Sequence, residues 1–92
     1  MTDMTEIRRE IDRIDERMIK LLAERQRCVE HAIAVKKRDG MAARVPERID
    51  EVIRNVRNLA RTHKVDPAMA EAMWTGMVEW FVAHEERSLK PK

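Results

Sequence analysis

Arg25 stands where a helix seam calls for a hydrophobe. Ile7, Ile11, Ile14, Met18, Leu21, Arg25, Cys28, Ala32 and Val35 follow one another at alternating steps of four and three, and every other member is uncharged. Lys36 lies eleven positions after Arg25, only about 20° around the same helix at 3.6 residues per turn. Two cations therefore face the side of the helix that should pack. A buried charge is costly unless it is paired, so an anion is expected there, either a protein carboxylate or a ligand. The alternative is that the two stems lie along the edge of the core while their heads reach water.

A second irregularity is Glu85. Trp74, Val78, Phe81 and Glu85 fall at steps of four, three and four, so the carboxyl closes an apolar stripe. It marks the end of that stripe, pairs with Arg25 or Lys36, or is a carboxylic acid held neutral by an apolar pocket and able to donate a hydrogen bond. Glu79 and Glu86 point elsewhere and call for no explanation. Arg8 precedes Arg25 by about 25 Å and roughly 100° along one helix, too far to share a site within the same chain. In an antiparallel pair of chains it would reach the middle of the partner's helix. Arg48 falls in the first turn of a second helix, where free backbone N–H groups also favour an anion. The array of charges suits electrostatic work on a small anion. No serine or cysteine is paired with a base, no glycine-rich phosphate loop occurs, and His31, His63 and His84 lack metal-ligand spacing. Neither a cofactor nor a metal is expected.

The composition narrows the class. Nineteen basic and seventeen acidic residues leave a net charge of only +2, with the signs interspersed, which argues against a nucleic-acid partner. Trp74, Trp80 and Phe81 are too few for a base-stacking platform. The N-terminus MTDMTEIRRE lacks the apolar core of a secretion signal, and no apolar run approaches the ~20 residues of a membrane span. Cys28 is the single cysteine, read as a small buried hydrophobe in a reducing, cytoplasmic setting.

Positioning these groups requires three helices in one domain over residues 1–92. The first is expected from about Thr5 to about Arg38, capped by Asp3 or Thr5 and ended by Asp39-Gly40. Pro46 opens the second, whose apolar face carries Ile49, Val52, Ile53, Val56, Leu59 and Ala60 and which ends near His63-Lys64. Asp66-Pro67 opens the third, which carries Ala70, Met73, Trp74, Met77, Val78, Phe81 and Val82 and frays near Lys90-Pro91. A helix of ~34 residues is about 50 Å long, whereas a compact chain of this size fills a sphere of roughly 30 Å. Two shorter helices cannot cover the whole seam, and no Pro or Gly between Thr5 and Asp39 breaks it. The expected fold is all-α, with three helices per chain intertwined in a homodimer through the long first helix.

These residues resemble the all-helical chorismate mutase family, which includes the isochorismate pyruvate lyases. The resemblance rests on IRREIDRIDERMIKLLAER at Ile7 to Arg25, AVK at Ala34 to Lys36, VPER at Val45 to Arg48 and EWFVAHE at Glu79 to Glu85, and spans nearly the whole chain. It implies a dimer with two sites, each completed by one arginine of the other subunit. Residue by residue, Arg8 matches the donated arginine, Arg25 and Lys36 the cations of the first helix, and Arg48 the arginine after the loop. Glu85 takes a position where many members have Gln and some have Glu, and Phe81 lines the substrate. The implied substrate is a small dianion. Arg8 and Arg25 would hold its carboxylates, Lys36 and a protonated Glu85 would donate to its ether oxygen, and Arg48 would help close the loop.

Three positions depart from the usual mutase pattern. Val45 and Ile49 replace acidic residues, the second of which normally recognises the ring hydroxyl of chorismate, and Phe81 replaces a small hydroxyl residue. The lyases have similar apolar replacements and an aromatic pair like Trp80-Phe81. Chorismate mutase is the expected activity, with isochorismate pyruvate lyase as the alternative. A non-catalytic helical dimerisation module using the same seam is a third reading.

Overall fold

The computed structural model describes residues 3–90. Its elements are α1 (Met4–Asp39), α2 (Pro46–Thr62) and α3 (Pro67–Leu89), with no strand among the described residues. The expected boundaries shift by one or two residues, and the part of the expected fraying that falls on Pro91 lies outside the described residues. Of the two caps expected for α1, Asp3 is the one used: its carboxylate accepts the Glu6 N–H at 2.9 Å and its carbonyl the Ile7 N–H at 3.1 Å. Helix α1 then runs without a break to Gly40, whose φ of 66° allows the Met41 N–H to reach back to the Lys36 carbonyl at 2.8 Å.

The other helix ends follow the same local logic. Asp66 accepts the Ala68 N–H at 2.8 Å and the Met69 N–H at 3.4 Å, with Pro67 in the first turn. The turn that closes α2 holds Lys64 at φ 61°, where the Lys64 N–H meets the Arg61 carbonyl at 3.3 Å and the Val65 N–H the Ala60 carbonyl at 2.8 Å. That geometry favours glycine, because a Cβ crowds the carbonyl in the left-handed region. Lys64→Gly is therefore expected to raise the unfolding free energy by about 0.5–1 kcal/mol in urea titration, less whatever glycine gains in the unfolded chain. A fall in stability would refute this account of the turn.

The chain divides between Ala32 and Ile33 into two compact units. The first is the N-terminal part of α1. Its seam residues Ile7, Ile11, Ile14, Met18 and Leu21 are exposed, since a single helix has nothing in its own unit to bury them against. Cys28 lies on the same seam and is likewise exposed, which corrects its reading as a buried hydrophobe.

In the second unit α2 packs on α3 through Val56, Ala60 and Ala70, with Val52 and Trp74 against them. Val78, Phe81, Val82 and Glu85 continue the buried side of α3, and Ile33 is the buried residue of α1. Val35, the last member of the α1 seam, is exposed, and two residues assigned to the apolar faces of α2 and α3 are exposed as well, Leu59 and Met73. Each sits on the flank of its helix relative to the buried neighbours, Leu59 about 60° from Val56 and Met73 about 140° from Val78.

Candidate functional site

Of the candidate residues in the second unit, Lys36 and Glu85 meet. The last-turn position of Lys36 on α1 brings Nζ to 3.1 Å from Glu85 Oε1 on α3, and the ammonium also donates to the Ala43 carbonyl at 2.8 Å. The pair is well shielded: the side chains are 16% and 10% exposed, and Glu85 is the buried charged residue among those described. The helical period of the apolar stripe accounts for this burial, because Glu85 follows Phe81 by one turn on the same side of α3. An ammonium carries three donors, so two are committed and one is left for an acceptor. No buried side-chain nitrogen or oxygen lacks a hydrogen-bond partner among the described residues.

The remaining candidates fall into two groups. Phe81 is buried and meets Trp80 edge-on with centroids 5.1 Å apart, while Trp80 stacks on His84 at 5.6 Å. Arg48 is exposed in the first turn of α2 and pairs with Glu51 on the next. The α2 start uses Val45 as an extended N-cap without a side-chain hydrogen bond, and Ile49 is half-buried. Arg8 and Arg25 belong to the N-terminal unit, where Arg8 is exposed and Arg25 half-buried. A shallow groove of about 550 Å³ in that unit is lined by Arg17, Lys20, Leu21, Ala23, Glu24 and Arg27. These residues all lie on one helix, which cannot enclose a ligand by itself, so the groove is not the site.

Two contributors were not visible as site residues in the sequence. One is the Ala43 carbonyl, a main-chain acceptor with no residue-type signature. The other is Glu79, read as unremarkable, which binds Arg44 through both oxygens at 3.0 and 2.7 Å. The Arg44 hydrogen bonds hold the Glu79 carboxyl below the usual carboxylate range and, with the Glu79 charge, raise Arg44 further. A depressed carboxyl contributes stability above its unfolded value and loses it as pH falls through the folded one, so this pair is intact at neutral pH and fails only in acid.

No helix among the described residues is long and apolar enough to cross a membrane, and no group of three or more His, Cys, Asp or Glu among them could hold a metal ion. A family model described as chorismate mutase type II matches residues 7–86. The chain belongs to that family. Among curated relatives, a chorismate mutase of Methanocaldococcus jannaschii is 29% identical over 87 residues, covering 95% of this chain and 88% of the relative. A bifunctional chorismate mutase/prephenate dehydratase of Aquifex aeolicus is 36% identical over 59 residues, which are 64% of this chain and 16% of that protein. The match to the type II family takes in every candidate position, from Arg8 to Glu85.

Proposed function

We propose that this chain is a chorismate mutase that rearranges chorismate to prephenate in a homodimer, by electrostatic positioning and without a covalent intermediate. The observation that carries this reading is the shielded Lys36 ammonium, fixed by Ala43 and Glu85 with one proton still to give. In the rearrangement the ether C–O bond breaks as a new C–C bond forms, and negative charge develops on the ether oxygen. A preorganised donor beside that oxygen lowers the barrier because it interacts more strongly with the transition state than with the ground state. Lys36 takes that role, with Glu85 as the second donor. Arg25 and Arg8 of a second copy hold the two carboxylates, Phe81 lies against the ring, and Arg48 leaves Glu51 to close over the ligand. The exposed seam of Ile7, Ile11, Ile14, Met18 and Leu21 supports the second copy, since it is a long apolar face that this unit leaves uncovered. The prephenate formed fits a role in aromatic amino acid biosynthesis.

Glu85 accepts a hydrogen bond from Lys36 in this structure. A carboxylate has no proton to give, so Glu85 donates to the ether oxygen only as the neutral acid. Glu85→Gln, whose amide always carries a donor, is therefore expected to retain turnover of chorismate, whereas Glu85→Met, which carries none, is expected to lose it. Equal loss of turnover in both variants would remove Glu85 as a donor from the mechanism.

The lyase reading has its own support. Val45 and Ile49 offer no acid to a ring hydroxyl at the start of α2, and Trp80 and Phe81 form the aromatic pair. The deciding experiment incubates the purified protein separately with chorismate and with isochorismate. Prephenate from chorismate supports the mutase, salicylate and pyruvate from isochorismate support the lyase, and neither product supports a non-catalytic dimerisation module.

A further inference from the structure

We propose that the Arg44–Glu79 ion pair is a positioning clamp that holds the α1–α2 loop against α3 and thereby keeps the Ala43 carbonyl on the Lys36 ammonium. The proposal rests on Lys36 being the donor to substrate, as argued above. Its geometry closes a ring. The Lys36 ammonium donates one hydrogen bond to Glu85 of α3 and one to the Ala43 carbonyl. The next residue, Arg44, returns to α3 through a two-pronged bond to Glu79, six positions before Glu85. Besides the backbone hydrogen bonds at its two ends, the loop over residues 40–45 is tied to α1 and α3 by two adjacent links, the Ala43 carbonyl on Lys36 and the Arg44 side chain on Glu79.

This arrangement answers a physical need. Lysine carries a compact charge on a flexible four-carbon stem, so one carboxylate alone does not fix the direction of its remaining N–H. A second acceptor does, provided that the acceptor itself is fixed. Ala43 lies in an irregular segment with no ladder or helix to hold its carbonyl, yet it is buried. The planar guanidinium fork of Arg44 matches both oxygens of Glu79 and sets orientation as well as distance. Both side chains of the fork are about half exposed, so its removal disturbs little of the core. Its effect should therefore be read at Lys36 and in turnover more than in stability.

The test uses the full chain with R44A, E79Q and the exchanged pair R44E/E79R. The first measurement is nitrogen NMR of the Lys36 ammonium and the exchange of its protons with water, at a temperature where all variants keep the native circular dichroism. R44A and E79Q are each expected to speed that exchange several-fold, and the exchanged pair to restore most of the protection. The second measurement is turnover of chorismate. A misdirected donor acts mainly in the transition state, so kcat is expected to fall about tenfold in R44A with KM changed less than about threefold. Exchange unaltered in both R44A and E79Q overturns the clamp whatever the enzyme does, and so does an unaltered kcat in an active enzyme. A natural sequence that fails to turn over chorismate refutes the assigned reaction instead, and ammonium exchange then decides by itself whether the fork holds Lys36.

Discussion

Alanine in place of Arg25 is expected to lower kcat/KM for chorismate by about 10²–10³ or more, with the helices intact. A carboxylate is charged before and during the reaction, so a guanidinium that holds it acts on ground state and transition state alike. Much of the loss should therefore appear as a raised KM, with the share in kcat reporting how far the reactive conformer is lost. Alanine is the best helix former, and position 25 lies mid-helix on α1, so helicity by circular dichroism should be retained. Arg25→Lys keeps the charge but loses the planar fork, and should fall between the natural sequence and alanine. The contrary result is equally specific. If Arg25 serves only an interface, the alanine variant keeps its turnover per folded molecule and shifts the melting temperature or the protein concentration needed for assembly.

Position 25 also shows what kind of feature is legible in a sequence. A helix repeats its faces, so a cation within a run of Ile, Met and Leu declares itself without any structure. The same period placed Glu85 beneath Phe81 and Val78, and the structure buries all three. The sequence leaves Glu85 free to pair with Arg25 or Lys36, and in the structure it meets Lys36. Helix ends were legible because their signals are local: Asp66-Pro67 and Asp39-Gly40 each act within one turn. What could not be read depends on the course of the loop. Arg44 and Glu79 are 35 residues apart and meet only because residues 40–45 bring one to the other. The Ala43 carbonyl has no side chain to betray it. Leu59 and Met73 were misplaced for a third reason: periodicity gives the centre of an apolar stripe well, but its width depends on how many neighbours the unit supplies.

Lys36→Met separates the catalytic and structural duties of the buried pair. Methionine keeps most of the apolar stem and removes the ammonium. Glu85 then has a shielded carboxylate without its cation, and the Ala43 carbonyl has lost its donor. Removing one partner of a buried pair costs more than the pair itself contributes, because the other group stays desolvated and unmatched. With side chains 16% and 10% exposed, some water relieves the penalty, and the expected loss is about 2–3 kcal/mol in urea unfolding at neutral pH. Turnover is expected to fall by about 10²–10³, the usual effect of deleting one donor to a developing oxyanion. A second change, Glu85→Met in the same chain, removes the stranded carboxylate. The double variant should recover much of the lost stability, since replacing both partners by apolar groups is close to neutral. Activity should not return, because nothing is left to donate to the ether oxygen. Stability that recovers while turnover stays low assigns Lys36 a chemical role beyond holding α1 to α3. Recovery of both would make the pair a structural bolt, and turnover in Lys36→Met within a few-fold of the natural sequence would place the reacting oxygen elsewhere.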